Sequence, residues 1–356
     1  MTIQETFDIP YQPTDPDTYT PAIGLVGCGD ITKVHVEAYR AAGYDVVAFC
    51  DIEEAIARER RDDSYPDADV YTDAQDIFDR SDIDVVDIAT HPGPRVALIE
   101  DAIMSGKHVL SQKPFVLDLE VGEHLVSLAD EHDVTLAVNQ NARWAPHFSY
   151  IREAVAADCI GTPISIDCSV HWDHDWIANT SFNDIGHAIL YDFAIHWFDF
   201  VATLTPDAVV ESVSASVRRS PIQQSAPPLL GAARIDFEEC QASLTFDGGA
   251  RYGERDHTHV SGSKGTLESA GPNLQEQNVA VHTEGGSWEP DLEGSWFPTG
   301  MHGAMGELLA AIEDGREPAH SARNNLRSLR LCFAAVESAD CEKPVNPVDV
   351  TALSGS

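Results

Sequence analysis

An acid and an imidazole stand four residues apart in the run Asp192-Phe193-Ala194-Ile195-His196. On a helix that spacing puts both on one face, where they can point into one cleft. The chemistry open to such a pair is proton transfer. When hydride leaves an alcohol carbon, the hydroxyl proton must go to a base, and neutral imidazole suits that task near neutral pH. Asp192 would then orient the substrate hydroxyl or the ring. The same segment carries Phe193, Trp197, Phe198 and Phe200, and spacing alone favours a core histidine hydrogen-bonded to Asp192.

A second constellation lies near the start of the chain, where Ile23-Gly24-Leu25-Val26-Gly27-Cys28-Gly29-Asp30-Ile31-Thr32 runs a short apolar strand into spaced glycines and a helical pattern. Gly27 permits a tight turn and Gly29 lets backbone approach a pyrophosphate. The positive end of the helix starting near Ile31, just after Asp30, faces the phosphate charge. About twenty residues on, the apolar run Val46 to Cys50 ends in Asp51, placed to hold an adenosine ribose. That carboxylate accepts ribose hydroxyls and repels the extra phosphate of NADP, and Arg58, Arg60 and Arg61 lie farther along the helix, so the spacing favours NAD. Thr32 stands where the fingerprint has Gly or Ala, and a glycine turn with no ligand is the plainer alternative.

The loop His171-Trp172-Asp173-His174-Asp175-Trp176 and Phe182-Asn183-Asp184 is rich in aromatic and hydrogen-bonding side chains. A polyhydroxylated ligand needs both: indole faces pack on sugar C–H surfaces while carboxylates and amides take the hydroxyls. A solvated acidic loop explains the same residues. No metal is assigned, because four ligand types within five residues cannot all converge on one ion without an unusual loop. His257 and His259 alternate on an expected strand and share one face, which a solvated sheet face accounts for.

The elements that must hold these residues follow from periodicity. After a polar arm over residues 1–20, strands and helices alternate up to Val138, which implies a parallel sheet. Its ligands collect where strands end, so Thr90-His91-Pro92-Gly93-Pro94-Arg95, Ser111-Gln112-Lys113-Pro114 and Asn139 to Trp144 are the segments to watch. Arg143 and Trp144 fall at the hinge between domains. Beyond them come a helix, a strand over Pro163 to Trp172, the helix near His187 to Leu204, several alternating strands and two amphipathic helices. The pattern predicts a dinucleotide-binding α/β Rossmann domain over 21–143 and an α+β domain with a large open, mainly antiparallel sheet over 144–356.

The chain has 356 residues, 43% of them hydrophobic, and 59 acidic against 22 basic side chains give a formal charge of −37. Such a surface repels nucleic acid and anionic lipid. Spread evenly and poor in lysine, the excess suits a halophile whose internal salt screens the self-repulsion. Seven cysteines without a C-x-x-C read as reduced core residues. The acidic N-terminus has no basic region or apolar signal core, which predicts a cytoplasmic protein without membrane insertion.

In its order of motifs the chain resembles the Gfo/Idh/MocA oxidoreductases over nearly its whole length. The resemblance rests on Gly27-Cys28-Gly29, Lys113-Pro114 after the fifth strand, Asp192 to His196, Gly262-Ser263-Lys264-Gly265-Thr266-Leu267, and the closing helices with Gly315-Arg316-Glu317-Pro318 between them. It implies an NAD(P)-dependent dehydrogenase that oxidises a sugar, sugar-derivative or polyol hydroxyl without a metal. His196 would be the base, Asp192 its orienting acid, and Lys113 the cation near the reacting hydroxyl and the nicotinamide ribose. It further implies cofactor contacts from Thr90, His91, Gln112, Lys113 and Asn139, and substrate contacts from Lys113, Arg143, Trp144, His171, Trp176, Asp192 and His196. A homo-oligomer, dimer or tetramer, through the open sheet is expected. Two departures stand out: Gln112 replaces the family's usual Glu before the lysine, and Arg95 replaces the histidine of its Thr-Pro-x-x-x-His segment. The alternatives are a redox-neutral NAD-dependent epimerase, lyase or glycosidase, and a non-catalytic NAD-binding sensor.

Overall fold

The computed structural model describes residues 8–353. Six strands, β1 (Ala22–Val26), β2 (Asp45–Cys50), β3 (Asp69–Tyr71), β4 (Ile83–Ile88), β5 (His108–Gln112) and β6 (Leu136–Asn139), form a sheet in the order β3-β2-β1-β4-β5-β6. Every pair in it is parallel. The crossovers run through α1 (Thr32–Ala42), α2 (Glu54–Ser64), α3 (Gln75–Phe78), α4 (Pro92–Met104) and α5 (Leu119–Glu131). Strand order reverses at β1, between β2 and β4, and a crevice beyond the strand ends at such a reversal is where ligands bind.

The second sheet follows α6 (Pro146–Ala156). It contains β7 (Pro163–His171) and, after a π-helical turn over Ile189–Phe193 and α7 (Ile195–Leu204), strands β8 (Val210–Arg218), β9 (Leu230–Phe237), β10 (Gln241–Asp247), β11 (Arg255–Gly262), β12 (Gly265–Gly271), β13 (Asn278–Thr283) and β14 (Gly286–Trp288). Their order is β14-β13-β12-β11-β7-β10-β9-β8. Only β7 with β10 is parallel. Two-residue alternation puts Ile166, Cys168 and Val170 on the buried face with Ala242, Leu244 and Phe246, and sends Asp167, Ser169 and His171 to the other.

Helices α8 (Trp296–Asp314) and α9 (Ala322–Cys341) close the chain. The compact units divide differently from the linear reading: one is Gln12–Ala145 with Trp296–Leu326, the other, among the described residues, Pro146–Ser295 with residues 8–11 and 327–353. The reason is packing. Met301, Met305, Leu308 and Leu309 of α8 are buried in one cluster with Ile23, Leu25, Val36, Tyr39 and Phe49. Residues 12–20 are likewise no free arm, since the backbone N–H groups of Thr18 and Tyr19 donate to the Glu313 carboxylate at 2.8 and 2.9 Å. No helix among the described residues is long and apolar enough to cross a membrane.

Candidate functional site

The glycine turn has the shape a dinucleotide requires. Gly27 adopts φ +90°, and a Cβ there would stand 2.9 Å from the carbonyl carbon and oxygen of Ala89. Gly29 has open space where a Cβ would be, so backbone is exposed to an approaching phosphate in front of α1. Thr32 is buried, and its hydroxyl donates to the Gly29 carbonyl at 2.6 Å. Arg60, also buried, donates to the Thr32 hydroxyl at 3.1 Å and to the carbonyls of Cys28 and Gly29. The departure from the fingerprint is thereby explained: the threonine closes the turn and is braced by an arginine from α2. Asp51 follows β2, accepting the N–H of Cys28 at 2.9 Å and of Glu53 at 3.0 Å, which fixes its carboxylate beside the turn. Asp30 is exposed and paired with Lys33, while Ile31 caps α1. Arg58 is held by Glu54. These residues fit a nicotinamide dinucleotide with a free ribose.

Two residues away from the end of β4, Thr90 and His91 lead into α4, whose first residue is Pro92. Arg95 of this helix is 1% exposed. Its guanidinium donates to the carbonyls of Thr90 (Nε, 3.0 Å), Gln112 (Nη1, 2.6 Å) and Pro114. The arginine therefore ties the loop after β4 to the loop carrying Lys113. Gln112 is 6% exposed, and its Oε1 accepts the Lys113 N–H at 2.8 Å while Nε2 lies 3.1 Å from His35 Nε2. His35 and Asp87, both wholly buried, meet at 2.7 Å through Nδ1 and Oδ2. Asn139 Nδ2 approaches His35 Nε2 at 3.3 Å and Met301 Sδ at 3.4 Å. Gln112, Lys113, Thr90 and Asn139 are thus brought together at the carboxyl ends of neighbouring strands.

Arg143 and Trp144, expected at the substrate, have interior roles here. Both are buried, the arginine donating to the Ala319 carbonyl and to Asn324 Oδ1 at 2.8 Å. Trp144 stacks edge-on against His320 at 4.9 Å and leaves room only for glycine at position 303. They lock α8 and the loop that enters α9 to the end of β6.

In the other unit, Asp192 and His196 do not lie on one regular helix. The backbone over Ile189–Phe193 is π-helical, with Ala194 N–H donating to Ile189 O at 3.0 Å, and α7 begins only at Ile195. The π turn shifts the register by one residue, so the α-helical face argument does not apply across it. Asp192 is half-buried and His196 8% exposed, with Nδ1 buried. Around the turn, Phe193 packs on Trp172 (4.6 Å), His174 (4.7 Å) and Trp197 (5.0 Å), and His174 on Trp176 (5.0 Å). Trp176 is 55% exposed. With Asp173, Asp175, Asn179, Gln224 and Arg251 it lines a cavity of about 430 Å³. Asp175 is committed to the floor of that cavity, accepting the N–H groups of Gln224 and Ser225.

His171 is separated from this cluster. Phe193 and Trp197 pack on Phe246, which shares the buried face with Val170, whereas His171 pairs with Ser169 on the opposite face. The histidine ends a strand whose parity sends it outward. Sequence reasoning met Arg95 only as a departure from the family pattern and Arg60 only as a basic residue beyond Asp51, and it did not single out His35 or Asp87. A charged side chain at a core position of α1, α2, α4 or β4 was the available signal for them.

A reversed-order parallel sheet with a glycine turn and a following aspartate, joined in one chain to a large open, mainly antiparallel sheet, is the architecture of a two-domain nicotinamide-dependent oxidoreductase. Residues 22–140 match the model of the oxidoreductase family with NAD-binding Rossmann fold, and residues 148–268 the GFO/IDH/MocA C-terminal domain. The chain is 30% identical to the inositol 2-dehydrogenase of Rhizobium meliloti over 90% of its own length and 97% of the relative's. It is 26% identical to a D-apiose dehydrogenase of Paraburkholderia graminis, covering 88% and 86%. A solved structure of a putative myo-inositol dehydrogenase from Sinorhizobium meliloti superposes with a TM-score of 0.77 at 27% identity, over 92% of this chain and 99% of that one. The scyllo-inositol dehydrogenase of Lactobacillus casei, solved with NAD(H) and scyllo-inositol, shares the fold with a TM-score of 0.77 at 23% identity, over 92% and 99%. The protein belongs to the Gfo/Idh/MocA family and is an NAD-binding oxidoreductase of the dehydrogenases acting on CH–OH groups.

Proposed function

We propose that the protein oxidises a secondary or anomeric hydroxyl of a sugar or polyol, with His196 as base and Lys113 as electrostatic partner. The observation carrying this reading is Lys113 itself, a cation held at the carboxyl end of β5 by the buried Arg95 and Gln112 bonds, on the sheet that carries the Gly27 turn. The names of the inositol and apiose dehydrogenase relatives support the substrate class. Bound NAD supplies the acceptor for the hydride that leaves the substrate carbon. Gly27, Gly29 and the α1 N-terminus would hold its pyrophosphate, Asp51 its adenosine ribose, and Thr90, His91, Gln112, Lys113 and Asn139 its other half. Lys113 Nζ would stabilise the alkoxide that forms as the hydroxyl loses its proton. His196 would take that proton at Nε2, the ring nitrogen left by the buried Nδ1. The exposed indole of Trp176, rimmed by Asp173, Asn179 and Gln224, offers a stacking face and hydroxyl partners for a sugar ring. The polar outer face of the eight-stranded sheet is where a homo-oligomer would form.

The test is absorbance of reduced nicotinamide with NAD, and separately NADP, in molar KCl against aldoses, inositols and sugar acids. Reduction with one substrate group, lost in Lys113→Ala, is expected. Folded protein that binds NAD but reduces none of it with any panel member would overturn net oxidation in favour of redox-neutral chemistry or a sensor.

A further inference from the structure

The Lys113 backbone N–H is the one member of the buried network whose donor role is beyond choice, and it fixes the sense of every bond behind it. The Gln112 atom 2.8 Å from that N–H must be the oxygen. The amide's other end is therefore its NH₂ group, which donates across 3.1 Å to His35 Nε2. Asn139 presents a second NH₂ to the same nitrogen at 3.3 Å. Nε2 must then carry the lone pair, and the ring proton sits on Nδ1, donated to Asp87 Oδ2 at 2.7 Å. Tyr39 donates its hydroxyl to the same oxygen, also at 2.7 Å. Burial and then the Asp87 charge push the Tyr39 phenol well above its ordinary value, so it remains a donor.

We infer that His35 and Gln112 are positioning residues for Lys113: a one-directional chain Lys113 N–H to Gln112, Gln112 to neutral His35, His35 to Asp87 holds the lysine-bearing loop. Arg95 grips the carbonyls on either side of the same lysine. The glutamine's NH₂ group meets the Nε2 lone pair and offers no acceptor for a proton on that nitrogen. A carboxylate at 112 would face His35 Nε2 with an oxygen and need a proton there, producing an imidazolium between two carboxylates. The groups around the ring make the comparison clean. Asp87 from β4 and Tyr39 from α1 are titratable, Asn139 from β6 and Met301 from α8 are neutral, and Lys113 and Arg95 are the nearby charges on and behind the loop. With glutamine in place, placement of Lys113 does not depend on a proton.

The inference rests on Lys113 serving as the electrostatic partner proposed above, but half of its test does not. NMR of protein labelled at histidine ring nitrogens, with the His35 signal identified by its loss in His35→Asn, should show Nδ1 protonated and Nε2 bare between about pH 6 and 8. In Gln112→Glu the same ring should be doubly protonated at the acid end and lose the Nε2 proton as pH rises. Alongside, the ratio of variant to parental kcat should fall about tenfold across that range, because the lysine N–H loses its acceptor's support. A parental His35 protonated on Nε2, or a kcat ratio flat with pH, overturns the inference. If the NMR is as expected and no sugar is oxidised by the parent, the chain of bonds stands and the proposed function falls.

Discussion

His196 occupies a position that a core histidine and a catalytic base would both accept, and substitution separates them. Trp197, Phe198 and Phe200 of the same helix are buried, so His196→Asn keeps a similar volume and removes the titratable nitrogen. A base contributes on the order of 10²–10⁴-fold. We therefore expect kcat for sugar oxidation to drop by at least about 100-fold while the unfolding midpoint stays near the parent's. A variant turning over within a factor of a few of the parent would return His196 to the core. At this scale the sequence was legible at Gly27, whose φ of +90° is the tight turn its position calls for. It was less legible where a polar side chain has two uses. Arg143 and Trp144 look like cleft residues by position, and the carbonyl of Ala319 and the ring of His320 engage them. Arg95 departs from the family pattern because it has another task, satisfying carbonyls that two loops leave unpaired.

The elements carry the site through their parity and their interruptions. Strand β11 turns Asp256, Thr258 and Val260 to the buried face of the open sheet, although Asp256 is a carboxyl with 1% exposure. Neither of its oxygens has a hydrogen-bond partner, and burial raises its pKa to about 7. The unfolded chain releases that proton near pH 4 and the native state keeps it until about pH 7. Between those values the folded state binds more protons, so stability falls as pH rises, by up to about 4 kcal/mol, and the loss is complete above the folded pKa. Asp256→Asn removes this dependence. Urea unfolding in constant salt should show the variant gaining on the parent from pH 5.5 to pH 8; parallel stability curves would show that Asp256 ionises as an ordinary carboxyl. The strands were readable as short apolar runs in the parallel sheet, as with β1, and from two-residue alternation in the open sheet, as with β7 and β10. The π turn before α7 was not, because Ile189 to Leu204 has the apolar density of a buried helix at any period, and the inserted residue leaves no mark in such a run.

Across the whole molecule, charge is the dominant property that packing does not offset. Of five lysines, Lys107 donates its ammonium to the carbonyls of Arg80 and Ile83, and Lys113 belongs to the candidate site. Only Lys33, Lys264 and Lys343 remain to oppose 59 carboxylates, besides the arginines. Ion pairs such as Lys33 with Asp30, Lys264 with Asp158 and Arg323 with Asp130 are exposed on both sides, and pairs of that kind contribute at most about 1 kcal/mol each. The excess negative charge therefore repels itself over distances that dilute buffer does not screen. The Debye length shrinks from about 10 Å at 0.1 M salt to about 3 Å at 1 M, which is shorter than the spacing of most surface carboxylates and removes the repulsion while leaving the cores untouched. A rise in unfolding midpoint on the order of 10 °C between 0.1 M and 2 M KCl is expected, worth a few kcal/mol. Because the term is electrostatic, lowering the pH toward the carboxylate range in dilute salt should recover part of it, whereas an osmolyte at constant ionic strength should not reproduce its salt profile. A midpoint that ignores KCl would mean that the acidic surface costs the fold nothing, and that its composition answers to solubility alone.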